Sequence, residues 1–408
     1  MPKKIVMFTM GTRGDVQPYI FLTQALQKAG YEATLCTHPC WKGLVSDAGI
    51  DFAPIGPDID IELEAAKIRG KEKNAMMAVL KTMQFVFKIV EQSSAEVYRY
   101  CEGKDLVIVS HSHIGAVEAE ALHIKTIDVT LQTEMLAEKE RSQSFGQRLF
   151  GSMFNALVNP MIVKPYNKLR KSYGLSKIKS MEQMLSKELN LIPISKYVIQ
   201  PSPYWAPQNK MVGYWYEEQT FAYEPSEDLK AFLTAGEKPI ILALGAMSFE
   251  AEEEKDKLEI FLNAFAATNK RAIIQGFHKT LQNYNLPDTM IAVGSIPHGW
   301  LFRQGYCVIH HGGFGTSASA MIYGIPSIII PHALDQFGVA DRLYRLEVTT
   351  EPIKASELCV EKLINRIEYM TQNYDAISKN VKTLSEKMAE EHGLDTAVGL
   401  IQELGFIC

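Results

Sequence analysis

Cys307-Val308-Ile309-His310 runs straight into His311-Gly312-Gly313-Phe314-Gly315-Thr316, and a helix-like pattern follows from about Ser317. A short apolar run with β-branched residues reads as a strand buried on both faces. Glycines directly after it make a tight strand-to-helix turn. Small residues there leave backbone N–H groups exposed at a helix start, where the dipole favours an anion. Strand, glycine turn and helix in that order form the repeating unit of a parallel α/β sheet.

The same order recurs on both sides of this stretch. Upstream, Pro239-Ile240-Ile241-Leu242-Ala243-Leu244 precedes Gly245, and further strands are expected at 271–274, 290–293 and 327–330. In the first half, Lys4-Ile5-Val6-Met7-Phe8 leads to Gly11 and Gly14, a helix carries Phe21, Leu22, Ala25 and Leu26 before Gly30, and strands are expected at 33–36, 106–109 and 126–129. The fold class is therefore α/β with two Rossmann-like βαβ domains. Gln200-Pro201-Ser202-Pro203-Tyr204-Trp205-Ala206-Pro207 is too rich in proline for a helix or a central strand and marks the join. The expected division is 1–212, a linker at 213–236, 237–388, and a helix at 389–408 packing back on the first domain. Residues 61–100 read as helical, with Met76, Met77, Met83, Phe85 and Phe87 as core packing or an acceptor wall. The stretch 134–190, with Phe145, Phe150, Met153 and Phe154, reads as a lid or acceptor-binding insertion.

A length of 408 residues suits two domains better than one core. The net charge of -5 leaves no basic surplus to neutralise a nucleic acid or an anionic membrane. The six cysteines have neither zinc-ligand nor redox spacing and read as reduced thiols. The opening segment reaches charge and proline too early for a signal peptide or a membrane span, so a cytoplasmic protein without stable membrane insertion is expected.

In the 310–316 turn, His311 can add a donor or a positive charge and Thr316 a hydroxyl, which suits two linked phosphates better than one carboxylate. A plain glycine turn with a core histidine is the other reading. Asp335-Gln336 follows the next expected strand, at the same carboxyl edge, and offers acceptors and a donor to sugar hydroxyls or simply a helix N-cap.

With these residues in place, the region 294–342 resembles the nucleotide-sugar motif of the family 1 glycosyltransferases. It is most similar to the branch with bacterial and fungal sterol glucosyltransferases and glycopeptide or macrolide antibiotic glycosyltransferases. The resemblance implies the GT-B fold, two Rossmann-like domains facing across a cleft. It assigns the donor diphosphate to His311, Gly313, Gly315 and Thr316, and the donor sugar to Asp335 and Gln336. Two departures stand out: the plant motif's base-stacking tryptophan falls near Ser295 and its ribose-binding glutamate near Ser319. Nucleoside binding is then left to Ser295, the backbone of Ile296, and His298, with Trp300 as nearby surface or core. The choice between a UDP-sugar and a dTDP-sugar stays open.

Gly11-Thr12-Arg13-Gly14-Asp15-Val16-Gln17-Pro18 lacks the G-x-G-x-x-G of dinucleotide sites. The resemblance puts Asp15 where many members carry a catalytic histidine; as an alternative it is an N-cap. An alcohol attacking an anomeric carbon must lose its proton, and a carboxylate can take it. Ser248, in the loop after 239–244, is a second diphosphate candidate or part of a plain turn. Gly14, His111 and His113 are candidate acceptor or sugar contacts, the histidines also reading as ordinary loop residues. No metal cluster of Asp-x-Asp type is evident beside these diphosphate candidates, so neither a metal nor a cofactor is expected. The reading is an inverting, metal-independent transfer of a hexose, glucose from UDP-glucose, to a hydroxyl of a lipophilic sterol, terpenoid, polyketide or flavonoid. A non-catalytic nucleotide-sugar-binding module and an epimerase of the related two-lobed fold are the alternatives.

Overall fold

The computed structural model describes residues 2–59, 61, 64, 67–68, 75–131, 133, 136, 163–216, 223–245, 254–282, 284–332 and 334–405. The chain forms two compact units, Met1–Trp215 with His392–Cys408, and Tyr216–Glu391.

The first unit holds a parallel sheet of β1 (Lys4–Phe8), β2 (Glu32–Thr37), β3 (Asp51–Pro54), β4 (Leu106–Val109), β5 (Lys125–Val129), β6 (Asn190–Ile192) and β7 (Asn209–Met211). The spatial order is β3-β2-β1-β4-β5-β6-β7. Ile5 pairs with Leu106 and Phe8 with Val109, so β1 and β4 are neighbours although β2 and β3 lie between them in the chain, and the sheet builds outward to β3 on one side and to β7 on the other. Every residue of β4, and Ile5 to Phe8 of β1, is buried, which is why both strands read as unbroken apolar runs.

The second unit repeats the plan with β8 (Ile240–Ala243), β9 (Ala272–Gln275), β10 (Met290–Val293), β11 (Cys307–His310) and β12 (Ser327–Ile329). All are parallel, in the order β10-β9-β8-β11-β12, so the reversal lies between β8 and β11. Ligands of such sheets collect beyond the strands' carboxyl ends at the reversal.

The fold class matches the expectation, while the expected linker at 213–236 holds a helix, Glu227–Thr234. Ser226 caps it by accepting from Leu229 N at 3.3 Å, and Leu229 and Phe232 are buried against Ile241 and Leu301. Two apolar contacts at i and i+3 among acidic residues are a faint signal, and they tie this segment to the second unit. At the other end the chain rejoins the first unit, where the helix Gly393–Glu403 packs on the helix Arg13–Lys28.

Phe85 and Phe87, on the helix Ala75–Cys101, pack half-buried on the first unit's core, which favours the core reading. The side chains of Met76, Met77 and Met83 lie outside what is described, as do residues 137–162 with Phe145, Phe150, Met153 and Phe154. Among the described residues no helix is long and apolar enough to cross a membrane.

Candidate active site

In the second unit, the loops after β8 and β11 meet at one imidazole. A Cβ added to Gly245 would lie 3.1 Å from His311 Cε1, and one added to Gly313 only 2.1 Å from His311 Nε2. Any larger residue at Gly313 would collide with the ring, so glycine is what lets it lie against the helix start. His310 Nδ1 accepts from Gly312 N at 3.0 Å and fixes the turn. The helix runs Phe314–Ile322 with Gly313 as N-cap, so it begins earlier than the expected Ser317. Ser317 N to Gly313 O, at 2.9 Å, is its first closing bond. Phe314, Gly315 and Thr316 are therefore its first turn, whose N–H groups point out of the ladder toward the helix start. Gly315 has open space where a Cβ would stand, and Thr316 is buried.

His311 is only 9% exposed, and burial, reinforced by the nearby His332, lowers its pKa to about 4. Of the two expectations, a donor or a positive charge, the charge is thus absent near neutral pH, and the neutral ring keeps one N–H to donate. Its Nδ1 is buried without a hydrogen-bond partner, and its Nε2 lies against Gly313 at the helix start. Ser248 falls outside the described residues.

The Asp335-Gln336 pair is divided by the helix that carries it, Leu334–Arg345. Asp335 is exposed in the first turn, whereas Gln336 is 5% exposed and its Oε1 accepts from His332 N at 2.8 Å. Gln336 also backs the cradle, its carbonyl oxygen lying 3.4 Å from where a Gly312 Cβ would stand.

Of the nucleoside candidates, Ser295 is exposed, and Ile296 is buried with its N donating to Gln275 Oε1 at 3.4 Å. His298 stacks on Phe302 with ring centroids 4.5 Å apart. Trp300 tilts against Tyr223 at 4.9 Å and packs on the core, the plainer of its two readings. Ser319 Oγ donates to Gly315 O at 2.8 Å, back into its own helix. Among the described residues, no group of three or more His, Cys, Asp or Glu is placed to hold a metal ion.

In the first unit, the loops after β1 and β4 carry the other half of the candidate residues. The helix Arg13–Lys28 has Thr12 as its N-cap, so Asp15 is not the cap but the third helical residue. Asp15 Oδ2 accepts from Thr12 N at 2.8 Å and from Thr12 Oγ1 at 3.0 Å, as in a capping box. Thr9 Oγ1 donates to Asp15 O at 2.9 Å, and Trp41 Nε1 to Gly11 O at 3.1 Å. Gly11, at φ +138°, could not be replaced, since a Cβ would come within 2.2 Å of Asp15 Oδ2. These braces hold one carboxylate oxygen and turn the other, Oδ1, toward His111, whose Nε2 is 3.9 Å away; both side chains are 27% exposed. Gly14, in the same first turn, is half-buried.

His113 is placed differently from the expected acceptor contact. It is buried at φ +49°, edge-on to Tyr166, with Nδ1 3.7 Å from Asp128 Oδ1. The approach resembles an ion pair, yet burial lowers His113 to about 4 and raises Asp128 to about 7, so the pair is held toward its uncharged forms. Ser186 N donates to Asp128. Asp128 and Trp41 carry no motif signal, because their roles come from contacts between separate loops, whereas Thr12-Arg13-Gly14-Asp15 has the spacing of a capping box.

Residues 5–136 match the glycosyltransferase family 28 N-terminal domain, and residues 260–398 the C-terminal domain of erythromycin biosynthesis protein CIII-like proteins. The chain is 28% identical to a sterol 3-beta-glucosyltransferase of Arabidopsis thaliana, over 97% of this chain and 65% of that protein. It is 26% identical to the O-mycaminosyltylonolide 6-deoxyallosyltransferase of Streptomyces fradiae, over 98% of this chain and 97% of that one. Of a sterol 3-beta-glucosyltransferase of Leptosphaeria maculans it spans 28% of the length, at 25% identity over 98% of this chain. Similar folds include the glycotransferase of kitacinnamycin (TM-score 0.74, 16% identity, 99% of each chain). The glycosyltransferase VinC, solved in complex with dTDP, is another (TM-score 0.72, 19% identity, 98% of this chain and 99% of that one). With a match to a family 28 N-terminal domain in one unit and to a CIII-like C-terminal domain in the other, each containing a parallel Rossmann-like sheet, the chain has the GT-B fold of the glycosyltransferase structures it resembles.

Proposed function

We propose that the protein is an inverting, metal-independent glycosyltransferase that moves glucose from UDP-glucose to a hydroxyl of a lipophilic acceptor of sterol or polyketide type. The observation that carries the reading is the cradle after β11, where Gly313 admits the His311 ring against the first turn of the helix Phe314–Ile322. Such a turn stabilises the negative charge that grows on a departing diphosphate without a metal ion. Asp335 lies near the same strand ends, exposed and suited to sugar hydroxyls.

Asp15 takes the acceptor's proton on Oδ1. The acceptor oxygen bonds to the anomeric carbon from the face opposite the diphosphate, and the bond from that carbon to the phosphate oxygen breaks with its electron pair leaving on UDP. The proton on Asp15 then passes to solvent. One displacement inverts the anomeric centre. The glucosyl and deoxyallosyl names of the relatives support a hexose, and their sterol and tylonolide acceptors support an apolar alcohol. A cytoplasmic site of action belongs to the same reading and agrees with free Cys36, Cys101 and Cys307 in the interior.

The test is a screen by mass spectrometry of UDP-glucose, UDP-galactose and dTDP-glucose against sterols, macrolide aglycones and flavonoids, with and without EDTA. A glycoside of inverted anomeric configuration, formed equally in EDTA, is expected. Donor binding without product would make the protein a binding module, an isomerised donor an epimerase, and loss of product in EDTA would end the metal-independent reading.

A further inference from the structure

His111 stands where the proposed base leaves room. It follows β4, next to β1 at the reversal of the first sheet, and its loop is fixed on several sides. Ser110 N donates to Phe8 O at 3.1 Å, His113 N to Ser110 O at 2.8 Å, Ser110 Oγ and Ser112 Oγ share a 2.8 Å bond, and Tyr166 OH donates to Ser112 O. Asp15 is fixed as firmly from its own side by Thr12 and Thr9. The remaining polar edges, Asp15 Oδ1 and His111 Nε2, face each other at 3.9 Å. That separation is too long for a direct hydrogen bond, and an oxygen about 2.8 Å from each atom fits between them. The other ring nitrogen, His111 Nδ1, is buried with no hydrogen-bond partner, so Nε2 is the edge open to a substrate.

We propose that His111 and Asp15 clamp the acceptor hydroxyl, with His111 Nε2–H donating to one oxygen lone pair while Asp15 Oδ1 accepts the hydroxyl proton. A hydroxyl has one proton and two lone pairs. With the proton held by Asp15 and one lone pair by His111, a single lone pair is left, and its direction is set for the anomeric carbon. His111 is in this sense a catalytic residue that touches the nucleophile, not a relay behind the carboxylate. The bonds made and broken are those of the displacement described above, and His111 keeps its proton throughout. The inference rests on Asp15 being the base.

The test compares His111→Phe, His111→Gln and Asp15→Asn, with UDP-glucose as donor and cholesterol or 3,4-dichlorobenzenethiol as acceptor, in single turnover. Sulfur is a weak hydrogen-bond acceptor and an aryl thiol ionises readily, so the thiol gains little from the clamp. His111→Phe is expected to lose roughly tenfold or more on the alcohol and clearly less on the thiol, with UDP affinity and Tm near wild type. His111→Gln, whose amide can donate, should recover much of the alcohol rate. Wild-type alcohol turnover in His111→Phe together with a large loss in Asp15→Asn would overturn the clamp and leave the base in place. Wild-type turnover in both would remove the base and the clamp together. Equal losses on alcohol and thiol, without rescue by His111→Gln, would make His111 a structural residue and overturn the clamp as well.

Discussion

Single atoms decide what the two loops can do. Asp15→Asn keeps the size of the side chain and an oxygen for Thr12 N, but it removes the basic Oδ1. Transfer to an alcohol should fall by ~10²–10⁴-fold in single turnover while the fold and UDP binding survive. An unchanged rate would move the base elsewhere. His311 carries a different expectation, because burial leaves it neutral with a pKa near 4. A neutral donor contributes about 0.5–1.5 kcal/mol, so His311→Ala should weaken UDP about three- to tenfold by calorimetry. Intact affinity would show that the helix turn alone holds the diphosphate. The sequence displayed His311 as a ligand candidate but not its charge, since that depends on Gly245 and Gly313 closing over the ring.

Helices sort residues that are adjacent in sequence into different tasks. Asp335 and Gln336 read as one sugar-binding pair, yet the first turn of Leu334–Arg345 exposes one and buries the other. Asp335→Ala should reduce affinity for intact UDP-glucose more than for UDP, with stability changed by less than about 0.5 kcal/mol. Gln336→Ala strips a buried partner from His332 N and should cost about 1–3 kcal/mol of stability and weaken both ligands alike. Thermal melts with paired titrations would check both, and identical behaviour of the two variants would contradict this division. Element boundaries were legible where apolar runs are continuous, as in β1, β4, β8 and β11. They were hidden where packing overrides local preference: glycines at 312, 313 and 315 read as loop, yet the helix begins at Phe314.

Over the whole chain, burial of histidine gives stability a defined pH dependence. His38, His113, His311 and His332 are lowered from 6.5 to about 4 and His310 well below 6.5, in each case chiefly by desolvation. Between pH 6.5 and 4 the unfolded chain binds protons at these sites that the folded chain does not, so stability falls as pH falls through that window. Asp128, raised to about 7, and Glu118, also raised by burial, work in the opposite sense, but among the described residues two such carboxyls stand against five histidines. Melting temperature should therefore drop steeply from about pH 6.5 downward, before the carboxylates titrate. A flat profile down to pH 4.5 would mean these histidines are solvated in solution. Composition and motif order revealed two Rossmann-like sheets and the loops that matter, whereas which histidines are sealed depends on loops from distant parts of the chain. The first unit has a further property that follows from its connectivity. It is interrupted in sequence by the second and closed by the helix Gly393–Glu403, which packs on the very helix that bears Asp15. During synthesis on the ribosome, the support behind that helix is translated only after the whole second unit, so a nascent chain can complete the second unit's fold before the proposed base is fully backed.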